Sequence, residues 1–367
     1  MNINRFEKYI DDNMENIIST IVELSKIPSW TRNEKEKSEF LLNKLKEIGA
    51  ENAYVDELFN VLYFNKVNDS EDYFLISAHI DTVFTNLTQI TPRIEGDIIY
   101  GPSVSDNSSN IAAVLFYIKM ILTNNIQTKS NILFAFNVRE EGLGNSEGIK
   151  YVIDTQKNKP NSVVVIDGSC NSVITRFVGS KRFEVIARGE GGRSWKEFGV
   201  TNPIETMSRF IAQVYDIDVC KYADKVTYNV GKINGGSSIN SIPKEVTCFL
   251  EIRSLSEESL NEIEKDIYMI SNFYDNLELH ILGERPCGSS DENSYVLKQI
   301  LAVRNRLNMN TKFGAESTDS NIPSSMNIPT ITFGTRIGKN NHSLDEQLYV
   351  SSMNIGLLAL YIFLTII

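Results

Sequence analysis

The sequence predicts an α/β domain interrupted by an α+β insert, and three observations carry that expectation. Short, nearly continuous apolar runs (YFLISAHI, NILFAFNV, SVVVIDG) lie in the first half of the chain. Alternating strands interleaved with two helical stretches begin near Val178, and the α/β texture returns near Ser290. Runs of four to eight apolar residues closed by polar or glycine residues suit central strands buried on both faces. Alternation followed by helices suits an antiparallel sheet covered on one side. The expected division is a discontinuous domain over 1–177 and 289–367, with a smaller domain over 178–288.

The elements follow in order. Phe6, Ile10, Ile17, Ile21 and Leu24 recur at helical spacing and Pro28 closes that helix; a second helix fits Glu34 to Ile48, ended by Gly49. Between the first two apolar strands, Ile111 to Asn125 reads as a strongly apolar helix packed on the sheet. The insert carries strand-like KRFEVIARGEGG, TYNVGKING and EVTCFLEIRSLS, with helices near Pro203–Val214 and Glu257–Tyr274. A helix to Arg306, a strand at PTITFG and an apolar helix from Ile355 to Ile367 complete the chain. That last run is shorter than the roughly 20 residues a spanning helix needs, so it predicts a buried helix and no membrane span.

Composition narrows function. Among 367 residues, 36 Lys and Arg stand against 47 Asp and Glu, a net charge of -11 that argues against gripping nucleic acid or an anionic membrane. The 42% hydrophobic and 23% charged content is that of a globular protein. Cys170, Cys220, Cys248 and Cys287 form no CxxC pair and read as reduced thiols of a cytoplasmic protein, and the N-terminus has no secretory pattern. With only three histidines, a zinc site must draw most of its ligands from carboxylates or thiols.

Polar residues at strand ends carry the chemistry. His79 and Asp81 stand two apart at the end of LISAHIDTV, so both leave one face. Glu140 and Glu141 follow the next strand, Asp167 follows the third, and Asp106 precedes the helix near Ile111. Ligands bind at that edge of open α/β sheets. Singly, each has a plainer reading: a hydrogen-bonded structural histidine, a solvated acidic pair, a helix cap. Together, five carboxylates at one edge require cations. Two divalent metals would supply four positive charges.

These residues resemble the M20 metallopeptidases. The resemblance runs in order through HxD at His79, GPSVSDN with Asp106, EEG at Glu140, Asp167, GGRSW, NVGKINGGSSINSIP, LEIRS and the late histidine of NNHSLDE. It implies a zinc-exopeptidase-like catalytic domain with a mixed sheet and an inserted lid and dimerisation domain. It also implies that Asp106 bridges two zinc ions about 3.5 Å apart, with cobalt or manganese as alternatives. His79 and Asp167 would hold one ion, and Glu141 and His342 the other. Asp81 would orient the His79 imidazole, and Glu140 would be the general base toward a metal-bridging water. Asn240 and Arg253 match substrate-binding positions, often in a partner subunit's active site, with Gly235 and Gly236 shaping the turn before Asn240. Arg193 stands where relatives carry a histidine that stabilises the oxyanion. Arginine is also a donor, but longer and permanently charged.

The expected activity is therefore that of an exopeptidase cleaving small peptides as a homodimer. An N-acyl-amino-acid amidohydrolase is the alternative, and a non-catalytic metal- or peptide-binding homologue is the reading Arg193 would favour. His280 in LELHILG reads as structural. Ser317, Thr318, Asp319 and Asn321 read as hydrogen bonders that fix a loop near the site.

Overall fold

Why the three apolar runs form central strands is visible in where their two faces go. In the computed structural model, which describes residues 3–124 and 126–367, odd and even residues of each run enter different cores. Ile76, Phe134, Phe136, Val164 and Ile166 pack in one cluster with helices Ile3–Lys26, Asn110–Thr123, Tyr295–Arg306 and Met353–Ile366. Leu75, Leu133, Ala135, Val163 and Val165 pack in another with Ile149, Val152 and Ile153 of helix Glu147–Thr155. A strand covered on both sides has no polar face to alternate with, so it reads as a continuous apolar run. Asn125, which closes the helix predicted from Ile111, lies outside the described residues.

The sheet is mixed. Val61–Asn65, Asn131–Asn137, Tyr73–His79, Ser162–Ile166, Thr330–Phe333 and Ser172–Phe177 are neighbours in that order. Tyr73–His79 is parallel to both Asn131–Asn137 and Ser162–Ile166, and Thr330–Phe333 is parallel to Ser162–Ile166; Val61–Asn65 runs antiparallel at its edge. The register pairs His79 with Asn137 and Phe333 with Ile166, so four parallel strands end at one edge. The closing helix Met353–Ile366 is buried along nearly its whole length, with Leu357, Leu360, Tyr361 and Leu364 fully covered. That burial is why it is apolar all round. No helix among the described residues is long and apolar enough to cross a membrane.

A second, four-stranded sheet in the same part of the chain had no clear signature in the sequence. It orders Ile337–Lys339, Gln347–Tyr349, Ile98–Tyr100 and Arg93–Glu95, all antiparallel. Its strands are only three residues long. Nevertheless it joins the segment just before Asp106 to the hairpin that carries His342.

The chain divides into two compact units, residues 1–177 with 289–367, and residues 178–288. In the second unit Val226–Gly235, Glu245–Ser254, Gly179–Arg188 and Leu277–Arg285 form an antiparallel sheet in that order. Val246, Cys248, Leu250 and Ile252 alternate inward to meet Met207, Phe210 and Val214 of helix Pro203–Tyr215 and Leu260, Ile263 and Ile267 of helix Glu257–Ser271. Both helices start on side-chain caps: Asn202 accepts from the Ile204 amide ahead of Pro203, and Ser256 from the Ser259 amide. All four cysteines are free; Cys220 is exposed and the other three buried.

Candidate metal centre

The parallel strand ends deliver the side chains. His79 is the last residue of its strand, Asp167 directly follows another, and Glu140 and Glu141 lie just beyond Asn131–Asn137. Asp106 sits in an irregular turn over Val104–Ser109, where its backbone (φ -110°, ψ 95°) is not helical. His342, in the turn between Ile337–Lys339 and Gln347–Tyr349, has a left-handed backbone with φ 64°.

Asp106 is the centre of the arrangement. Its Oδ1 lies 3.2 Å from Nε2 of His79, and its Oδ2 lies 3.1 Å from Nε2 of His342. Each imidazole has a second carboxylate beside it: Asp167 at 3.9 Å from His79 Nε2, and Glu141 at 3.0 Å from His342 Nε2. His79, Asp106 and Glu141 form a group able to hold a metal ion, their ligand atoms all within 4.8 Å of one another. All of these side chains are largely covered except His342, whose side chain is 52% exposed and opens the site to solvent.

The protonation pattern shows what such crowding costs. Burial opposes a charge on His79, yet Asp106, Asp81 and Asp167 hold its imidazole well above the ordinary range. Hydrogen bonds to Asp106 and Glu141 push His342 up to about 11. Burial lifts Glu141 to about 8 and Asp167 to about 6, with the Asp106 charge adding to both. Burial also acts on Asp106, but the two imidazoles hold it far below the usual carboxylate range. Protons on nitrogen thus occupy the places where cations would balance the carboxylates. Two imidazole nitrogens and three carboxylates, split about one shared aspartate, are a donor set that fits two divalent ions.

Asp81 is fully buried behind His79. The nearer partner of His79 Nδ1 is the Asp81 backbone carbonyl at 3.1 Å, with the carboxylate at 3.6 Å. That carboxylate accepts the amides of Glu140 and Glu141, each at 2.9 Å, and the Thr31 hydroxyl at 2.8 Å. So Asp81 fixes both the histidine and the backbone of the adjacent glutamates. Asp319 accepts from Asn137 at 2.6 Å, and Asn321 accepts the Thr318 amide, fastening that loop to the sheet.

Further ionisable residues, among them Glu34, Glu346 and Lys37, stand behind the site and were not singled out in the sequence. Glu34 accepts the amides of Arg32 and Arg139; Glu346 accepts those of Ser105 and Asp106; Lys37 is fully buried and feels the charges of Asp81, Glu346 and Glu34. Only Lys37 had a signal: it falls four and eight residues before Leu41 and Leu45, on the buried stripe of its helix.

Arg193, Asn240 and Arg253 belong to the second unit. Arg193 and Asn240 are neighbours on a short exposed ribbon in which Gly192–Arg193 pairs with Ser241–Ile242 and the Ser194 amide donates to the Asn240 carbonyl. Gly236, with φ 82°, makes the turn before Asn240. Arg253 projects from the Glu245–Ser254 strand, and its Nε and Nη2 are held by Glu251 at 2.8 and 2.9 Å. His280 is exposed beside Glu278.

The family model for peptidase family M20/M25/M40 matches residues 75–365. This chain belongs to that family. An M20 relative from Sulfurisphaera tokodaii, a LysW-lysine/LysW-ornithine hydrolase, is 23% identical over 300 residues, 80% of this chain and 82% of its own. The chain matches only 45% and 64% of the length of two other curated relatives, from Pyrococcus abyssi and Schizosaccharomyces pombe. Among solved M20-type folds, the di-peptidase Dug1p of Saccharomyces cerevisiae superposes with a TM-score of 0.79 at 14% identity, covering 99% of this chain and 98% of that one. A tripeptidase of Staphylococcus aureus gives 0.78 at 19% identity, over 96% and 98%. The α/β fold with a mixed sheet and an inserted antiparallel domain is that of these peptidases.

Proposed function

We propose that the chain is a two-metal exopeptidase acting on small peptides. One observation carries this reading: the two oxygens of Asp106 face two different imidazoles, each with its own second carboxylate. His79 and Asp167 would hold one ion, His342 and Glu141 the other, with Asp106 shared. Bound there, divalent ions, zinc foremost, supply Lewis acidity and a water acidic enough to ionise near neutral pH. Glu140 would accept a proton on its carboxylate from the attacking water and return it to the leaving amine. Asp81 keeps Glu140 and Glu141 in place through their amides.

The second unit is assigned the lid and dimerisation role, with Arg193, Asn240 and Arg253 contacting a substrate carboxylate or the oxyanion. Its exposed Trp195, Phe198 and Ile239, 93%, 89% and 103% accessible, support an interface there. Sedimentation showing only monomer at micromolar concentration would remove that assignment. The free cysteines support a reducing, cytoplasmic setting. An amidohydrolase reading is favoured by the name of the Sulfurisphaera tokodaii relative.

Metal content and a hydrolysis screen, run together on dipeptides, tripeptides and N-acyl amino acids with zinc, cobalt or manganese, test the reading. Two ions per chain and turnover of free peptides are expected. Preferential turnover of N-acyl amino acids would select the amidohydrolase, and metal binding without any turnover a binding protein.

A further inference from the structure

Asp106 can serve two imidazoles only if its backbone is fixed, and no regular element fixes it. The turn over Val104–Ser109 follows a left-handed Ser103, and the Asp106 amide has no helical carbonyl to meet. Instead one oxygen of Glu346, Oε1, accepts the consecutive amides of Ser105 and Asp106, both at 2.7 Å. Glu346 is fully buried, and its own carbonyl accepts the Gly101 amide at 2.9 Å. The other side of the same peptide group is held as well: the Ser105 carbonyl accepts from Arg336 Nε at 3.1 Å and from the Ser109 hydroxyl at 2.8 Å. Gly338 completes the contact, since a Cβ there would stand 1.9 Å from Ser105 Oγ.

Gly338 lies in the first strand of the hairpin whose turn carries His342, Arg336 directly precedes that strand, and Glu346 directly precedes the second. Arg336 and Lys37 lie near enough to act electrostatically on the Glu346 carboxyl. A carboxylate gripping two successive amides forms charge-assisted bonds whose direction is defined.

We propose that Glu346 is a positioning residue: by clamping the Ser105–Asp106 backbone to the His342 hairpin, it sets the shared carboxylate and the second histidine at their mutual distance. This rests on the two-metal reading of the site. Partners that orient metal ligands typically contribute tenfold to about a hundredfold in affinity.

Two variants separate reach from charge. Glu346→Gln loses the charge but keeps a carbonyl that can accept both amides; Glu346→Asp keeps the charge but draws the acceptor back by one methylene. The readout is affinity of the purified, metal-free chain for zinc and for cobalt alone, by competition with a chromogenic chelator, with the visible spectrum of the cobalt form and the melting temperature beside it. Glu346→Asp is expected to weaken one of the two ions about tenfold or more and alter the cobalt spectrum, while Glu346→Gln stays within a few-fold of wild type. Wild-type affinity in Glu346→Asp, or a loss in Glu346→Gln equal to that in Glu346→Asp, overturns the proposal. If the wild-type chain itself takes up no pair of ions, the reading of the site falls, a result distinct from failure of Glu346 alone.

Discussion

The metal centre and the exposed ribbon of the second unit are built on opposite plans. At the centre, ionisable side chains are buried and tied to backbone amides: Asp81 to Glu140 and Glu141, Glu34 to Arg139, Glu346 to Ser105 and Asp106. On the ribbon, Arg193, Trp195 and Asn240 lie in solvent, and Trp195 and Phe198 are almost wholly exposed. The first region is held by contacts among buried groups. The second is a paired ribbon whose side chains face solvent. Burying a charge is tolerable where the fold supplies donors and cations around it, whereas exposed aromatic surface gains by being covered.

The largest expected effect tests whether the two adjacent glutamates divide their labour. Glu140→Ala should lower kcat by roughly 10²–10⁴ while two ions remain bound; Glu141→Ala should lose metal as well. Equal metal loss in both variants breaks the assignment.

The next concerns protons at the centre. Without metal, the hydrogen bonds to Asp106 and Glu141 push His342 from an ordinary 6.5 up to about 11, so its contribution to stability is full below about 6.5 and lost as pH climbs to about 11. A cation must displace that proton. Metal affinity should therefore tighten with rising pH, by up to about tenfold per unit for each proton released; calorimetry in buffers of different ionisation enthalpy counts the protons, and a pH-independent affinity contradicts the geometry.

Lys37 gives a smaller effect of opposite sign. Burial lowers it from 10.5 to about 7, so the unfolded chain holds more protons between those values and stability rises with pH across that window. The slope is at most about 1.4 kcal/mol per pH unit. Lys37→Met should abolish it, and taking the difference between the two proteins cancels the His342 contribution. Parallel stability curves would show that Lys37 carries no such shift.

The ribbon should respond least. Arg193→His is expected to change kcat/KM severalfold on some members of a panel of dipeptides and acyl-amino acids, with metal content unchanged. Identical profiles would take Arg193 out of the reaction.

Much of this was legible because burial writes itself into strand composition. YFLISAHI, NILFAFNV and SVVVIDG announce strands covered on both faces, and polar residues at their ends stand out against that background. The tier behind the centre was not legible. Glu34 and Glu346 look like surface acids, because a carboxylate that accepts backbone amides leaves no periodicity in the sequence. The three-residue strands that join the Asp106 segment to the His342 hairpin are too short for a pattern of apolar residues to reveal.

By itself, then, the sequence determined the candidate ligand types, their order and the strands that present them, since apolar periodicity and the chemistry of carboxylates and imidazoles are local properties. The tertiary structure decided which histidine faces which oxygen of Asp106, and that Glu346, from the far end of the chain, holds the Asp106 backbone. The contacts of Asp106 with His342 and with Glu346 join segments separated by more than two hundred residues, and only packing fixes them.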